Sequence, residues 1–501
     1  MRHLVALPVI VPLLAAGLSI GIGRWRAAQR VIGFTTLTGL LASSIVLLVG
    51  VDDRGPIAVQ AGGWPAPVGI TLIADRLAMV MVVIALVVLL AVLAYGSGQG
   101  HTERDHVGFH PVYLILTAGA CLAFLTGDLF NMFVSFEMML TASYVLITLG
   151  GRPAQVRSGM TYVVVSLVAS TFFLITLAFV YAATGTVNLA DLSGRLQDVP
   201  DGVRSAIGLL LLVVFGIKSA VFPLYFWLPD SYPTAPSPVT AIFAGLLTKV
   251  GVYALIRSQT LLLPDAAQPK LLILVVAAAT MLIGVLGAIA QDDVKRILSF
   301  HIVSQIGYMV FGLGLFTIAG LAGAVLYIVH HIVVKTTLFL VAGLIELREG
   351  TGRLARIDGM VRSAPAIAVL FALPALSLAG IPPFSGFVAK LALVRAGIDD
   401  GQHAVVVVSL AVSALTLFSM TKIWGNVFWG EPVEAARAAG ADVRPPQVPA
   451  AMYAATGALA AVSVAIAVFS GPLFELAERT AADLLGRQAY LDAVLGDGWS
   501  R

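Results

Sequence analysis

The chain consists largely of apolar segments separated by short polar or Gly/Pro-rich connections. A helix of about 20 apolar residues crosses roughly 30 Å of hydrocarbon and satisfies its own backbone hydrogen-bonding groups there. A hydrophobic content of 59% against 11% charged residues exceeds what a soluble domain of this length needs for its core. The period-two alternation of a membrane β-barrel is not visible. The sequence therefore predicts an all-α integral membrane protein.

Apolar windows predict about 14 transmembrane helices, numbered here as spans 1 to 14. A cleaved signal peptide is the alternative for span 1. That span is long, ends in Arg24 and Arg26 and precedes another span at once, which favours a retained helix. Leucines and alanines after residue 472 predict an amphipathic helix at the interface. The predicted spans lie near residues 4–23, 30–50, 70–95, 111–128, 129–149, 159–184, 205–228, 237–258, 270–290, 297–317, 319–345, 364–396, 403–429 and 450–471.

Basic residues alternate between successive connections. One set of connections holds little beyond Arg54, Arg195, Arg204 and Lys270. Because cytoplasmic connections are enriched in Lys and Arg, this alternation predicts that both termini lie on the outer side. We expect a multi-pass protein of the plasma membrane. The basic set contains Arg24, Arg26, Arg30, Arg104, Arg152, Arg157, Lys295, Arg296, Arg348, Arg353, Arg356, Arg362, Arg437 and Arg444.

Prolines interrupt spans 7 and 12. Span 7 contains GIKSAVFPLYFWLPDSYPTAPSPVT (216–240), with Lys218 before the break, and span 12 contains ALSLAGIPPFSGFVAKL (375–391), with Lys390 after it. Proline removes a backbone donor, and freed backbone groups are tolerated in a membrane only where they line a protein cavity, which is typical of transporters. The predicted helix breaks are at Pro223, Pro229, Pro382 and Pro383.

The two broken spans are five spans apart. Because five is odd, two five-helix units would lie in opposite orientations, as an inverted repeat. The predicted organisation has N-terminal peripheral helices at 1–110 (spans 1 to 3), a first five-helix repeat at 111–258 (spans 4 to 8), a second inverted repeat at 270–429 (spans 9 to 13), and a C-terminal helix and tail at 450–501.

Several titratable side chains fall inside predicted spans, where a charge costs roughly 2.5–3.5 kcal/mol on insertion scales. We interpret them as a proton path. A buried lysine loses solvation and can take up and release a proton, Glu137 could hold Lys218 protonated, and histidines could relay protons. The alternative for each is a static ion pair or a packing residue. The predicted path is Glu137, Lys218, Lys249, His330, His331, Lys335 and Lys390.

Other charged residues lie close to span ends. Asp75 and Arg76 are expected to pair with each other or to face the interface, whereas Asp128 and Asp230 are expected to cap helices. His301, near the start of span 10, could continue a relay inward.

The sequence has no Gly-rich phosphate loop, no dinucleotide fingerprint and no His-x-x-x-His metal set. Its single cysteine, Cys121, lies within a span, and its net charge of +3 carries no nucleic-acid signal. We therefore expect no cofactor, no bound metal and no nucleic-acid partner. Energy for uphill transport would come from an ion gradient or a partner subunit.

The stretches FNMFVSFEMM around Glu137, GIKSAVFPLYFWLPDSYPTAPSPVT and LAGIPPFSGFVAKL resemble the antiporter-like subunit family. Mrp-type multisubunit Na+/H+ antiporters, respiratory complex I and membrane-bound hydrogenases share this family. GGWPAPVGITLIADRLAMVMV (62–82) is most similar to the Mrp branch. The resemblance implies that Glu137 and Lys218 form a pair and that Lys249 is central. It also places Lys390 at a second channel, with His330, His331 and Lys335 on a polar axis.

The resemblance implies a proton-translocating subunit of a cation/proton antiporter, which is a secondary transporter rather than an enzyme. Its partners would be other membrane subunits of a hetero-oligomeric complex, the lipid bilayer, protons and Na+. One alternative is the proton-pumping membrane subunit of a complex I-like or hydrogenase redox complex, a redox-linked translocase. Another is an assembly scaffold whose buried charges only hold helices together. The sequence shows no cluster of carboxylates that would cage Na+.

Overall fold

The computed structural model describes residues 1–99, 108–263, 267–430 and 446–496. Within them, eleven helices are long and apolar enough to cross a membrane, and three shorter apolar helices are Leu7–Ile22, Phe109–Leu125 and Pro365–Ala379. The predicted all-α membrane fold is confirmed. The long helices are Arg26–Arg54, Arg76–Gly98, Leu129–Thr148, Gln155–Thr184, Asp201–Ser219, Ser237–Leu261, Lys270–Ile289, Val294–Leu315, Ile318–Glu349, His403–Val427 and Ala450–Val468.

Each predicted span has a helix at its position, so the span numbers are kept for these helices. The number of helices that cross the bilayer, the inverted repeat and the boundaries of the four predicted segments stay predictions. Of the basic connections, Arg104, Arg437 and Arg444 lie outside the described residues.

Spans 8 and 11 form the centre of the helix bundle. The most apolar windows of Ser237–Leu261 and Ile318–Glu349 are entirely buried, whereas that of Arg26–Arg54 is only 28% buried. A helix buried on all sides needs partners around its whole circumference, which neighbouring helices supply here. The central spans are therefore shielded from lipid, and they carry the charged residues Lys249 and Lys335.

Spans 7 and 12 are each interrupted. The first half of span 7 ends at Ser219, followed by Ala220 in a left-handed conformation (φ 59°), and helix resumes at Trp227–Ser231. The first half of span 12 ends at Ala379, followed by left-handed Gly380 (φ 87°), and helix resumes at Ser385–Asp399. Both interruptions leave backbone carbonyls at the end of a half-helix inside the protein.

The prolines differ in their positions relative to these interruptions. Pro223 lies in the first interruption and Pro382 and Pro383 lie in the second. Pro229, which was predicted to break span 7, lies instead within the short helix Trp227–Ser231. A proline in the first turn of a helix is tolerated, because the N–H that it lacks would have no partner inside the helix. Pro229 thus lies between the long helices of spans 7 and 8 but not in the first interruption itself, and its role as a helix break stays a prediction.

A β-hairpin precedes span 3, where the sequence predicted helix from residue 70. Strand Ile57–Gln60 pairs antiparallel with strand Thr71–Ala74, with Ile57 opposite Ala74 and Gln60 opposite Thr71. The helix begins only at Arg76, because the Asp75 side chain accepts a hydrogen bond from Ala78 N at 2.9 Å and caps it.

Two aspartates occupy corresponding places in the two predicted repeats. Asp128 caps span 5 by accepting from Asn131 N at 2.8 Å, and it forms a β-bridge with Asn188 after span 6. Asp293 caps span 10, and it forms a β-bridge with Arg353 after span 11. Each aspartate thus opens the second span of its unit and contacts the connection that follows the third. This correspondence supports the predicted repeat, and the capping role expected for Asp128 is confirmed.

The other end-of-span charges pair differently from the expectation. Asp75 Oδ2 contacts Arg257 Nη2 at 2.5 Å rather than Arg76. Adjacent residues point in different directions from a helix start, so Asp75 and Arg76 reach different neighbours. Asp230 contacts Arg296 Nη2 at 2.9 Å.

The C-terminal tail forms two helices, Ser470–Gly486 and Gln488–Leu495. Arg76 binds Asp483 of the first at 2.6 Å and Asp52 of span 2 at 2.7 Å. Asp52 also accepts from Arg479 at 2.7 Å. One carboxylate therefore joins the tail to the end of span 2.

We predict that Asp52→Asn loosens the tail, because one carboxylate serves two arginines and a lost charged hydrogen bond costs about 1–3 kcal/mol. The melting temperature of the detergent-purified complex should fall. Asp201→Asn is the matched control, because Asp201 is 95% exposed in its pair with Arg204 and should leave the melting temperature unchanged. Equal melting temperatures for both variants would mean that the Asp52 carboxylate contributes little to holding the tail.

Candidate functional site

Five spans bring the predicted path residues into the interior. Lys249, His330, His331 and Lys335 have no exposed surface, and Lys390 is 6% exposed. Charged and titratable groups at this depth need partners, water or a function. Their contacts divide them into three groups between span 5 and span 12.

The first group joins Glu137 to Lys218 through a serine of span 6. Lys218 Nζ donates to Ser170 Oγ at 3.2 Å, and the Ser170 hydroxyl donates to Glu137 Oε1. The sequence predicted Glu137 and Lys218 as a pair but missed Ser170. A serine in an apolar helix is common, so only the folded structure shows which one stands between a lysine and a glutamate.

The position of Lys218 in its helix provides a further favourable interaction for a positive charge. It lies in the last turn of Asp201–Ser219, where the partial negative charge of the helix C-terminus favours a cation. Its ammonium nitrogen lies 5.5 Å from the centre of the Phe136 ring. Glu137 is only half-buried, at the middle of span 5.

The second group contains Lys249, His331 and Lys335. Lys249 Nζ donates to the Ala244 carbonyl, which lies in the single π-helical turn Phe243–Leu247 of span 8. Lys335 Nζ donates to the Leu298 carbonyl of span 10 at 3.1 Å. Such π-turns disturb the regular hydrogen-bond ladder and often occur at functional sites. Both lysines therefore use neutral backbone acceptors instead of carboxylates.

His331 lies within electrostatic range of both lysines of this group. Neither of its ring nitrogens has a hydrogen-bond partner among the residues that the structure describes. Its ring stacks at 6.3 Å on that of Tyr327. The imidazole is thus held by packing, and its nitrogens are not committed to a fixed protein partner.

The third group surrounds the interruption of span 12. Lys390 Nζ donates to the carbonyls of Leu378 at 3.0 Å and Ala379 at 3.1 Å, which the interruption frees from the helix ladder. It also lies 5.0 Å from the centre of the Tyr308 ring. The broken helix thus supplies the acceptors for the lysine that follows it.

His330 and His301 contact the same region from two other spans. His330 Nδ1 lies 2.8 Å from Ser385 Oγ, at the start of the second half of span 12. His301 Nε2 lies 2.9 Å from Ser419 Oγ and within electrostatic range of Lys335 and Lys390. His301 therefore lies between the second and third groups, as an inward relay would require.

The first and second groups approach through the backbones of spans 7 and 8. A Cβ atom at Gly251 would lie 2.8 Å from the Lys218 carbonyl carbon, so only glycine allows this crossing. Gly245 allows a similar approach of span 8 to span 11, since a Cβ there would overlap Thr336 Oγ1. These two glycines set the spacing of spans 7, 8 and 11, which carry three of the four path lysines.

A polar cavity of about 560 Å³, the vestibule, opens at one end of the bundle. It is lined by connections that belong to the basic set, including Arg152 and Lys295. At its wall, Lys295 Nζ pairs with Glu346 Oε2 at 2.5 Å, and Ser237 Oγ donates to the same carboxylate at 3.4 Å. Among the described residues, no group of three His, Cys, Asp or Glu side chains is placed to hold a metal ion.

Known proteins share these motifs and this fold. Residues 126–416, more than half of the chain, match the family described as NADH:quinone oxidoreductase/Mrp antiporter, TM. The chain belongs to this family. The matched range includes every residue of the predicted proton path in this chain, from Glu137 to Lys390.

Relatives cover the chain almost completely. A protein of Alkalihalophilus pseudofirmus, named as the D subunit of a Na(+)/H(+) antiporter, is 42% identical over 99% of this chain and 100% of its own length. A chain of the Mrp complex from Dietzia sp. has a TM-score of 0.92 at 36% identity and covers 99% of this chain and 100% of its own. A chain of respiratory complex I from Thermus thermophilus with bound Aureothin shares the fold, with a TM-score of 0.76 at 22% identity over 94% of this chain and 99% of its own. The predicted family resemblance is confirmed.

We predict that Gly251→Ala destabilises this family member by about 1–3 kcal/mol, because the added methyl group meets backbone atoms that cannot rotate away. The measurement is the thermal stability of the purified complex. Gly39→Ala in span 2 is the control, because nothing lies within 4 Å of its Cβ position. A Gly251→Ala complex as stable as the Gly39→Ala complex would contradict the tight crossing of spans 7 and 8.

Proposed function

We propose that this chain is the D subunit of a multisubunit Na+/H+ antiporter and moves protons through its buried lysine, glutamate and histidine side chains. The identity to the relative named as a D subunit, over nearly the whole length of both chains, supports this assignment. The likeness to a chain of the Mrp complex supports it as well. The chain is then part of a secondary transporter and not an enzyme.

The observation that carries the proposal is the succession of buried titratable groups from span 5 to span 12. Lys218, Lys249, Lys335 and Lys390 lie on four different spans, with His331 and His301 within electrostatic range of neighbouring lysines. A scaffold would need carboxylates to hold four buried cations, yet three of these lysines donate to backbone carbonyls. Neutral acceptors solvate an ammonium group without fixing its proton permanently.

The hydrogen bonds of Ser170 can control whether Lys218 keeps its proton in the first step of the path. When Ser170 joins Lys218 to Glu137, the carboxylate favours the protonated lysine through one intervening hydroxyl. Rotation of the hydroxyl or movement of span 5 removes this support, and the proton can leave towards span 8. Glu137 therefore acts as a modulator of the lysine rather than as a proton carrier itself.

In the second and third groups, electrostatic repulsion between lysines drives the proton from one residue to the next. Lys249 and Lys335 lie within electrostatic range of each other. Like charges in a medium of low dielectric repel strongly, so arrival of a proton at one lysine favours its release from the other. His331 and His301 are placed to carry that proton between the lysines, and Lys390 with His330 receives it at the interruption of span 12.

The proposal also assigns the membrane orientation and the partners. The vestibule collects connections of the basic set, so we place it on the cytoplasmic side of the plasma membrane and both termini on the outer side. Other membrane subunits complete the complex. We assign only the proton to this chain, and Na+ to the complex as a whole.

A proton-pumping subunit of a redox complex is the second candidate, which the fold shared with a complex I chain supports. The two functions differ in what drives the proton. Under the antiporter proposal an imposed Na+ gradient is sufficient, whereas a redox pump requires electron transfer in a partner. An assay in which Na+ is the only driving ion therefore separates them.

We predict that Lys218→Ala lowers Na+-driven proton movement by at least about tenfold, because a positioned proton carrier typically contributes 10²–10⁴. Glu137→Ala should lower it to a similar extent, because Lys218 then loses the carboxylate that supports its protonated form. The assay is the change of internal pH on Na+ addition to everted vesicles that contain the whole complex, with assembly checked by co-purification of its subunits. Lys270→Ala is the control, because Lys270 pairs with Asp400 at 2.8 Å at the periphery. Full exchange in an assembled Lys218→Ala complex would remove this lysine from the mechanism.

We further predict that Ser170→Ala reduces exchange several-fold and Ser170→Thr restores most of it, because only the hydroxyl links Lys218 to Glu137. The same vesicle assay measures both variants. Thr171→Ala is the matched neighbour, since Thr171 is exposed and donates only to the carbonyl of Leu167, within its own helix. If Ser170→Ala leaves exchange at the level of Thr171→Ala, the Ser170 hydroxyl is not needed for the interaction between Lys218 and Glu137.

A further inference from the structure

A small cavity of about 40 Å³ lies beside Lys218. Spans 5, 6, 7 and 8 surround it, and most of its lining is apolar. The polar groups on its wall come from Lys218, Ser166, Tyr162 and Tyr232. Because one water needs about 10–15 Å³ of such space, the cavity can hold about three waters.

Tyr232 has an unusual environment. Its side chain is fully buried, yet its hydroxyl has no hydrogen-bond partner among the residues that the structure describes. Tyr162 on the same cavity wall does have one, with its hydroxyl 2.9 Å from Ser143 Oγ. A buried polar group without a partner costs about 1–3 kcal/mol, so its retention requires an explanation.

The position of the Tyr232 ring is fixed by packing and not by its hydroxyl. The ring centre lies 5.8 Å from that of Trp227 and 5.6 Å from that of Phe243, both in edge or tilted contact. The Tyr232 carbonyl accepts from Thr240 Oγ1 at 2.9 Å. A phenylalanine at this position would keep all of these contacts and would lose only the hydroxyl.

In the sequence, Tyr232 directly precedes residues that line the vestibule. Tyr232 lines the cavity with Lys218, whereas the next two residues, Pro233 and Thr234, line the vestibule. Tyr232 is therefore the residue at which the wall of the small cavity continues along the chain into the wall of the vestibule.

We propose that the Tyr232 hydroxyl completes a water-binding site beside Lys218 and relays protons between the vestibule and this lysine, an assignment that rests on the proposed function. The hydroxyl oxygen accepts a proton from a protonated water on the vestibule side, which is left as neutral water. The hydroxyl gives its own proton to a water on the Lys218 side, and that water passes one proton to the neutral amine. Only O–H and N–H bonds change, the tyrosine is neutral before and after the transfer, and rotation of its hydroxyl restores the starting orientation.

The test is Tyr232→Phe in the complete complex, with Na+-driven proton movement measured in everted vesicles. We expect a loss of at least about tenfold with unchanged assembly, within the range of a single proton-transfer group. The ratio of rates in H2O and D2O should rise, because proton transfer becomes rate-limiting, and a purely structural defect would leave that ratio unchanged. Tyr113→Phe is the matched control, since Tyr113 is a buried tyrosine that donates to the Leu89 carbonyl, away from the cavity.

Ala169→Val provides a second and independent variant, because Ala169 lines the cavity and the added methyl groups would displace water while Tyr232 stays intact. Loss of exchange in both variants supports the relay. Full exchange in both, together with an inactive Lys218→Ala complex, overturns the relay and leaves the proposed function standing. Full exchange in all three variants overturns the proposed function as well.

Discussion

The hydrogen bonds from lysine ammonium groups to backbone carbonyls are the interaction on which the rest of the structure depends. Lys249 uses the carbonyl of Ala244 in a π-turn, and Lys390 uses two carbonyls at the end of a broken half-helix. A carbonyl inside a regular helix already accepts from its own helix and offers only its second lone pair, as Leu298 does to Lys335. The irregular turns of spans 8 and 12 supply further backbone acceptors, so a cation can be held in the interior without a carboxylate.

The two broken helices place their lysines differently. In span 7 the lysine precedes the interruption and reaches a glutamate through a serine, whereas in span 12 the lysine follows the interruption and reaches backbone carbonyls. A charged acceptor can be moved away, so the state of Lys218 depends on Glu137 and on whatever displaces it. The acceptors of Lys390 belong to its own span and move with it. In the proposed path, the acceptor of Lys218 can thus change, whereas the acceptors of Lys390 stay the same.

Much of the fold follows from the sequence, because the length and apolarity of the spans decide it. The interruptions at Pro223 and at Pro382 and Pro383 were also predictable, since proline cannot continue an interior helix. The short helix that contains Pro229 was not predictable, because the effect of a proline on a helix depends on the turn in which the proline lies. The hairpin before span 3 was missed because short β-branched apolar runs look like helix in a hydropathy window.

The sequence allowed prediction of the charged residues of the candidate site but not of its uncharged residues. A lysine or glutamate inside an apolar run is rare enough to attract attention from sequence alone. Ser170, Ser385 and Tyr232 are ordinary residues for a membrane helix, and their roles depend on what stands opposite them in the folded chain. The Lys249 acceptor in the π-turn likewise has no sequence signature that we could use.

The half-buried position of Glu137 has a consequence for the complex as a whole. A carboxylate in contact with hydrocarbon at the middle of a span costs a few kcal/mol, and a neighbouring protein that covered it would lower that cost. An isolated copy of the chain would therefore be less stable than one inside the assembly. Under the proposed function, this instability would also keep an isolated copy from dissipating the membrane gradient. The side chain proposed to modulate transport would then also limit proton leak outside the complex.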